Sequence, residues 1–171
     1  MKPLRRKYLA EFVYGGIDGT VTTFAVISGA FGAALNPGII LILGFANLFA
    51  DGFSMAVSNY LSTRSARSVD GERANSGKQP IKTALATLVA FVVIGFIPLL
   101  SFVLAVFVPA LDPIKFELSA VLTGLAFLFV GAAKSLIANK SVLGGALETV
   151  LIGGAAAAIA FSVGYLLQGL V

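Results

Sequence analysis

Asp18 and Asp51 each stand inside a long apolar run, and each belongs to a regular succession of polar groups. On a helix advancing 100° per residue, Asn47, Asp51, Met55, Ser58 and Ser62 fall within an arc of about 80°. In the preceding run Glu11, Asp18 and Thr22, at i, i+7 and i+11, stack along one side in the same way. A carboxylate with a thioether one turn away suits a divalent transition ion such as Fe²⁺ or Mn²⁺, whereas Mg²⁺ and Ca²⁺ prefer shells made only of oxygen. An isolated charge at the centre of a membrane helix costs about 2.5–3.5 kcal/mol on insertion scales, so two carboxylates in adjacent runs need a compensating role. The plainer reading is interhelical hydrogen bonding by protonated Asp, with Ser and Asn as polar glue and Met55 filling a gap in the core.

The rest of the composition narrows the chemistry. Cysteine and histidine are both absent, which removes disulfides, thiolate nucleophiles, imidazole bases and every Cys/His metal site. Oxygen ligands and methionine sulfur remain. Of the 171 residues 58% are hydrophobic and 12% charged, with a mean hydropathy of +0.97, the composition of an integral membrane protein. The net charge of +4 does not point to nucleic acid, because the basic residues gather at the edges of apolar runs instead of forming one stripe. The expected partners are the lipid bilayer and a second copy of the chain.

Five apolar runs, near 12–35, 38–63, 83–108, 116–137 and 142–170, match the ~20 helical residues that cross a ~30 Å hydrocarbon core. A closed β-barrel would need alternating segments of roughly ten residues, and these runs are continuous. The expected fold is therefore an all-α membrane protein, one domain over 1–171 with five transmembrane helices. The first run follows four basic residues, yet it is longer than the apolar part of a signal peptide and contains Asp18, so it is expected to be retained.

Eleven of the twelve Lys and Arg lie before the first run, in the 64–82 linker or between the fourth and fifth runs, with only Lys115 on the opposite side. The positive-inside bias then places the amino terminus and the linker in the cytoplasm and the carboxyl terminus outside. Asn36-Pro37-Gly38 reads as a tight turn, with Gly accepting positive φ, that makes an antiparallel hairpin of the first two helices. Residues 64–82 read as a flexible or briefly helical linker, Pro98 as a kink in the third span, and Pro109 with the 111–113 stretch as the outer turn. No internal repeat is evident, and five spans do not divide into two equal halves.

Depth follows from a rise of ~1.5 Å per residue: counted from Lys7 and Arg64, Asp18 and Asp51 lie ~17 and ~20 Å from the cytoplasmic edge. Two carboxylates at matching depth in a tight hairpin can line one polar cavity. Glu11 reads as an entrance ligand or as the partner of a nearby Arg, and Glu148 as a structural anchor paired with Lys134 or Lys140 at the start of the fifth helix. Gly15-x-x-x-Gly19 beside Asp18, and Gly153, Gly154 and the alanines after them, permit close helix contact, within one chain or between copies. Dimerisation around the first two helices would give four carboxylates about a two-fold axis.

The segments "YGGIDGTVTTFAVISGAFGA", "NLFADGFSMAVSNYLSTRS" and "GALETVLIGGAAAAIAF" together resemble the vacuolar iron transporter family across essentially the full chain. The resemblance implies a dimeric five-helix protein that exchanges cytoplasmic Fe²⁺, often also Mn²⁺, for protons from the other side, along a path at the dimer interface. On that resemblance Asp18 looks like the family's first-helix carboxylate and Met55 like its second-helix methionine ligand. Plant and yeast members carry a long glutamate-rich insert between the second and third spans, where this chain has only its short linker with Asp70 and Glu72. Those members also tend to have Glu eight residues before the methionine, where Asn47 stands here and Asp51 takes over, as in shorter prokaryotic-type sequences. That similarity implies a bacterial or archaeal plasma membrane, or a vacuolar membrane in a eukaryote.

These readings favour Asp18, Asp51 and Met55 as the metal site, with Glu11, Thr22, Asn47, Ser58 and Ser62 as a supporting polar path. Fe²⁺ or Mn²⁺ is then the substrate, no resident cofactor is expected, and the chain is not expected to be an enzyme. Two other classes compete. A carrier of a small organic solute would have a wide aromatic-lined cavity, and a membrane scaffold would survive loss of both aspartates. A membrane enzyme using aspartates with Mg²⁺ would want phosphate-binding Arg or Lys nearby, and neither stripe contains one.

Overall fold

The computed structural model describes residues 8–74 and 78–170, and the side chains of all of these except 69–74. The basic cluster Lys2, Arg5, Arg6 and Lys7 lies outside the described residues, as do the side chains of Asp70 and Glu72. Every regular element among the described residues is a helix: α1 (Leu9–Gly32), α2 (Pro37–Ala74), α3 (Pro80–Gly95), α4 (Ile97–Phe107), α5 (Lys115–Ile137) and α6 (Val142–Leu167). Two short 3₁₀ segments, Pro109–Ile114 and Gln168–Leu170, complete the set.

The sequence dictates most of the boundaries. Asn36 caps α2, its Oδ1 accepting from the Gly38 N–H at 2.8 Å, and Pro37 occupies the first helical position, where its missing N–H is harmless. The left-handed residue of this turn is Ala34, with φ 54°, and not Gly38, which already belongs to the helix. Beyond its expected end near 63, α2 continues to Ala74, so the first part of the linker is helical. Its backbone has no proline to stop it.

Pro98 bends the third run as expected. Helices α3 and α4 meet at an angle of 47° across Phe96, and the Ser119 hydroxyl of α5 donates to the Pro98 carbonyl at 2.6 Å. Pro109 opens a 3₁₀ turn in which Asp112 pairs with Lys115 at 2.7 Å before α5 begins. At the far end of α5, Asn139 takes φ 51° and Ser141 caps α6.

Three stretches, Pro37–Ser68, Pro109–Ile137 and Val142–Leu170, are long and apolar enough to cross a bilayer, and the bent pair α3–α4 makes a fourth. With 24 residues α1 has the length but stands outside that set on hydropathy. Its position in the bundle supplies the reason: α1 touches each of the other five helices, and its glycines and threonines face them instead of lipid. Lipid tails provide no hydrophobic drive between helices, so close backbone approach and interhelical hydrogen bonds must hold such a helix. A Cβ at Gly15 would lie 2.6 Å from the Thr87 carbonyl oxygen, and one at Gly19 would lie 2.6 Å from that of Phe91. The Gly15-x-x-x-Gly19 face is therefore occupied by α3 of the same chain. Gly29 and Gly32 meet α6 in the same way, at Ala160 and Phe161.

Candidate ion site between the first two helices

The site rests on the register of α1 against α2. Asn47 Nδ2 donates to Thr22 Oγ1 at 3.5 Å, and Thr22 Oγ1 in turn donates to the Asp18 carbonyl at 2.8 Å. In an antiparallel pair each step forward on one helix matches a step back on the other. The Asn47–Thr22 contact therefore sets Asp51, one turn along α2, level with Asp18, one turn back along α1. The matching depth expected from the two chain counts is thus carried by a contact.

The stripe does not face uniformly inward. Asp18, Thr22 and Asn47 are half-buried, while Asp51, Ser58 and Ser62 are exposed on the outer surface of α2. A carboxylate exposed on a helix that is apolar enough to cross a bilayer would meet hydrocarbon unless something covers it. Met55, the third expected ligand, is half-buried and packs against the apolar cluster that contains Leu48, Phe91 and Leu99. Among the described residues no three acidic side chains gather into a metal-sized cluster, so one chain offers the Asp18–Asp51 pair and its polar neighbours.

Glu11 sits one end of the stripe away and is held by Lys78, whose Nζ lies 2.6 Å from its Oε1. This partner comes from the linker and is not one of the nearby arginines. The Gln79 N–H donates to the Tyr8 hydroxyl at 3.0 Å beside it, so the start of α1 is clasped to the start of α3. The second carboxylate oxygen of Glu11 is buried with no partner among the described residues. Glu148 pairs with Lys134 at 3.2 Å, in the anchoring role expected for it.

A polar ladder between α2 and α3 went unread in the sequence. Asn59 Nδ2 donates to Thr87 Oγ1 at 2.5 Å, and the hydroxyls of Thr63 and Thr83 lie 3.2 Å apart in a hydrogen bond. Its signal was present, because Asn59 and Thr63, like Thr83 and Thr87, are four residues apart and so share a helix face. Together the two contacts zip the second half of α2 to α3 while Asp51 stays exposed.

The model of the VIT family matches residues 9–76 and 68–165 of this chain, which together take in both stripes and all six helices. The chain belongs to the VIT family. Residues in 60 aligned positions, 35% of the chain, are 40% identical to the "Vacuolar iron transporter" of Plasmodium berghei, and this stretch is 22% of that protein. The protein of the same name in Plasmodium falciparum is 39% identical over 64 residues, 37% of this chain and 23% of its own length. The chain thus spans under a quarter of the length of those two relatives. "Vacuolar iron transporter homolog 3" of Arabidopsis thaliana aligns more fully, at 28% identity over 162 residues, 88% of this chain and 78% of that protein.

Proposed function

We propose that this VIT-family chain moves a divalent transition-metal ion, Fe²⁺ or Mn²⁺, out of the cytoplasm, in exchange for protons and as a homodimer built around α1 and α2. The observation that carries the reading is an exposed Asp51, on a membrane-crossing helix, level with Asp18 on its neighbour. A second copy laid against the open face of α2 would cover Asp51 and double the carboxylates, as a two-fold contact requires. The names of the relatives, vacuolar iron transporters in Plasmodium and a homologue in Arabidopsis, support the choice of cargo.

The chemistry follows from the donors. A metal ion binds carboxylates only after their protons leave, so protons and metal compete for the same oxygens. High proton concentration on the receiving side discharges the ion, and the cytoplasmic side reloads it. With five crossings, α1 is the shielded one, and the termini lie on opposite sides. A prokaryotic plasma membrane fits the short linker, with a vacuolar membrane as its eukaryotic counterpart.

Reconstituted vesicles test the exchange. Metal uptake measured with and without a proton gradient should fall when the gradient is collapsed, and unchanged uptake would sink proton coupling. Uptake that survives in both Asp18→Asn and Asp51→Asn would remove the site itself. The lack of any cysteine gives a clean test of the dimer: Ser62→Cys should form a disulfide only between copies, and its failure to cross-link under oxidation, with nearby Ser58→Cys equally silent, counts against this interface.

A further inference from the structure

We infer that the break in the third span encloses an internal water site, where ordered water is the ligand that joins α1, α4 and α5 at the level of Pro98. Thr20, Thr23, Ser101, Ser119 and Thr123 are all fully buried, at 0% exposure. They come from three helices that touch one another pairwise. Backbone satisfies two of them: Thr20 donates to the Gly16 carbonyl at 2.8 Å and Ser119 to the Pro98 carbonyl at 2.6 Å. The hydroxyls of Thr23, Ser101 and Thr123 are buried with no hydrogen-bond partner among the described residues.

Helix register brings these hydroxyls into one layer. The Ser119 bond pins α5 to the first turn of α4, and Thr123 and Ser101 lie one turn further along their own helices, on or beside the bonded faces. From the other side α1 meets the break directly, since a Cβ at Gly95 would lie 2.8 Å from the Gly19 carbonyl oxygen. Thr23 follows Gly19 by one turn on the same face. Apolar side chains close the layer at both ends. Val13, Ile94 and Val130 form one buried cluster, and Ile27, Leu99 and Phe102, with Phe116 packed against them, belong to another. Along α1 the order is Val13, Thr20, Thr23, Ile27, and along α5 it is Val130, Thr123, Ser119, Phe116, so the hydroxyls stand between the two clusters.

The chemistry of the layer selects water. A buried hydroxyl in a helix ordinarily donates to the carbonyl four residues back, as Thr20 does and as Thr87 does to Thr83 at 3.0 Å. Thr23, Ser101 and Thr123 do not, and an unpaired hydroxyl away from water is costly. The backbone adds to the demand: Pro98 has no N–H to offer the Ile94 carbonyl, and the Leu99 N–H goes to Phe96 at 3.0 Å. None of the five side chains carries a charge, so a bare cation would sit there uncompensated. Water gives and takes hydrogen bonds, joins about three polar partners at a buried site, and with Ser and Thr re-satisfies groups that a proline frees in a membrane helix. Asp18 and Thr23 point about 140° apart around α1, which keeps this layer separate from the ion path.

The test uses the full chain in lipid bilayers. Solid-state NMR with short transfer of magnetisation from water should light up Thr23 and Thr123, although both are buried, and leave their equally buried neighbour Ile27 dark. Thr23 and Thr123 as dark as Ile27 would overturn the proposal. Thr123→Val keeps the shape and removes one of the water's partners, so the thermal midpoint should fall by roughly 2–4 °C. Thr23→Val combined with it should cost less than the sum, because both hydroxyls share the same water. A rise in midpoint would show an unsatisfied hydroxyl with no water beside it and counts against the site. Exchange of sodium for choline should leave the midpoint unchanged, and a sodium-dependent midpoint would put a cation in the layer instead. Asp51→Asn should leave the water signal intact, so the result stands or falls apart from the metal reading.

Discussion

The two seams that α1 makes with α2 and with α3 run side by side along one helix, yet they are built from different materials. Toward α3, Gly15 and Gly19 bring backbone against backbone, with carbonyl oxygens where side chains would otherwise stand. Toward α2, Asp18 and Thr22 face Asn47 and Asp51 through one long hydrogen bond and two carboxyl groups that have no ion pair among the described residues. The first seam uses dispersion at close range, which lipid does not weaken. The second keeps costly groups in place that contribute little to holding the helices together. One side of α1 therefore fixes the helix, and the fixed helix presents the other side for chemistry.

Substitutions can break this division. The largest effect is expected from Asp18→Asn and Asp51→Asn, which should lower metal flux roughly tenfold or more, the scale of lost metal-site partners. Their thermal midpoint in detergent should stay level or rise, since each removes a carboxyl group that is costly in an apolar setting; a steep drop in midpoint would show that the carboxylates hold the seam instead. Gly19→Ala should do the reverse, lowering stability by about 1–3 kcal/mol through overpacking against the Phe91 carbonyl, with flux per folded molecule retained. Asn59→Ala, on the ladder between α2 and α3, should cost about 0.6 kcal/mol, the typical worth of an interhelical hydrogen bond in a membrane protein. Smallest of all, Glu148→Gln breaks an ion pair whose partners are 39% and 56% exposed, and should shift stability by a few tenths of a kcal/mol that disappear in high salt.

Much of this arrangement was legible in the residues. A 100° advance puts Asp18 and Thr22 on one face and Asn47 and Asp51 on another, and the short connection at Asn36 makes those faces antiparallel, so matched depth followed from counting. The bend at Pro98 and the pairing of Glu148 with Lys134 were equally local facts. What resisted reading was the choice of neighbour. The Gly15-x-x-x-Gly19 spacing announces a close contact but carries no address, and only the fold shows that α3 fills it. Lys78 reaches Glu11 from 67 positions away, and the threonines of α3 meet Asn59 and Thr63 across a linker whose length says nothing of the crossing angle. The left-handed residue fell on Ala34, two positions before Asn36, because Asn36 and Pro37 already suffice to start α2.

The contact of α1 with all five other helices also bears on how the protein is made. Synthesis delivers α1 before any of the segments that will surround it, so the least lipid-compatible stretch is the first to need shelter. On the proposed five-crossing arrangement, its stable residence in the bilayer has to wait for α3 and α6, which makes late truncations a hazard for the earliest helix. Loss of the last segment should therefore send the nascent chain to quality control through exposure of residues more than a hundred positions upstream.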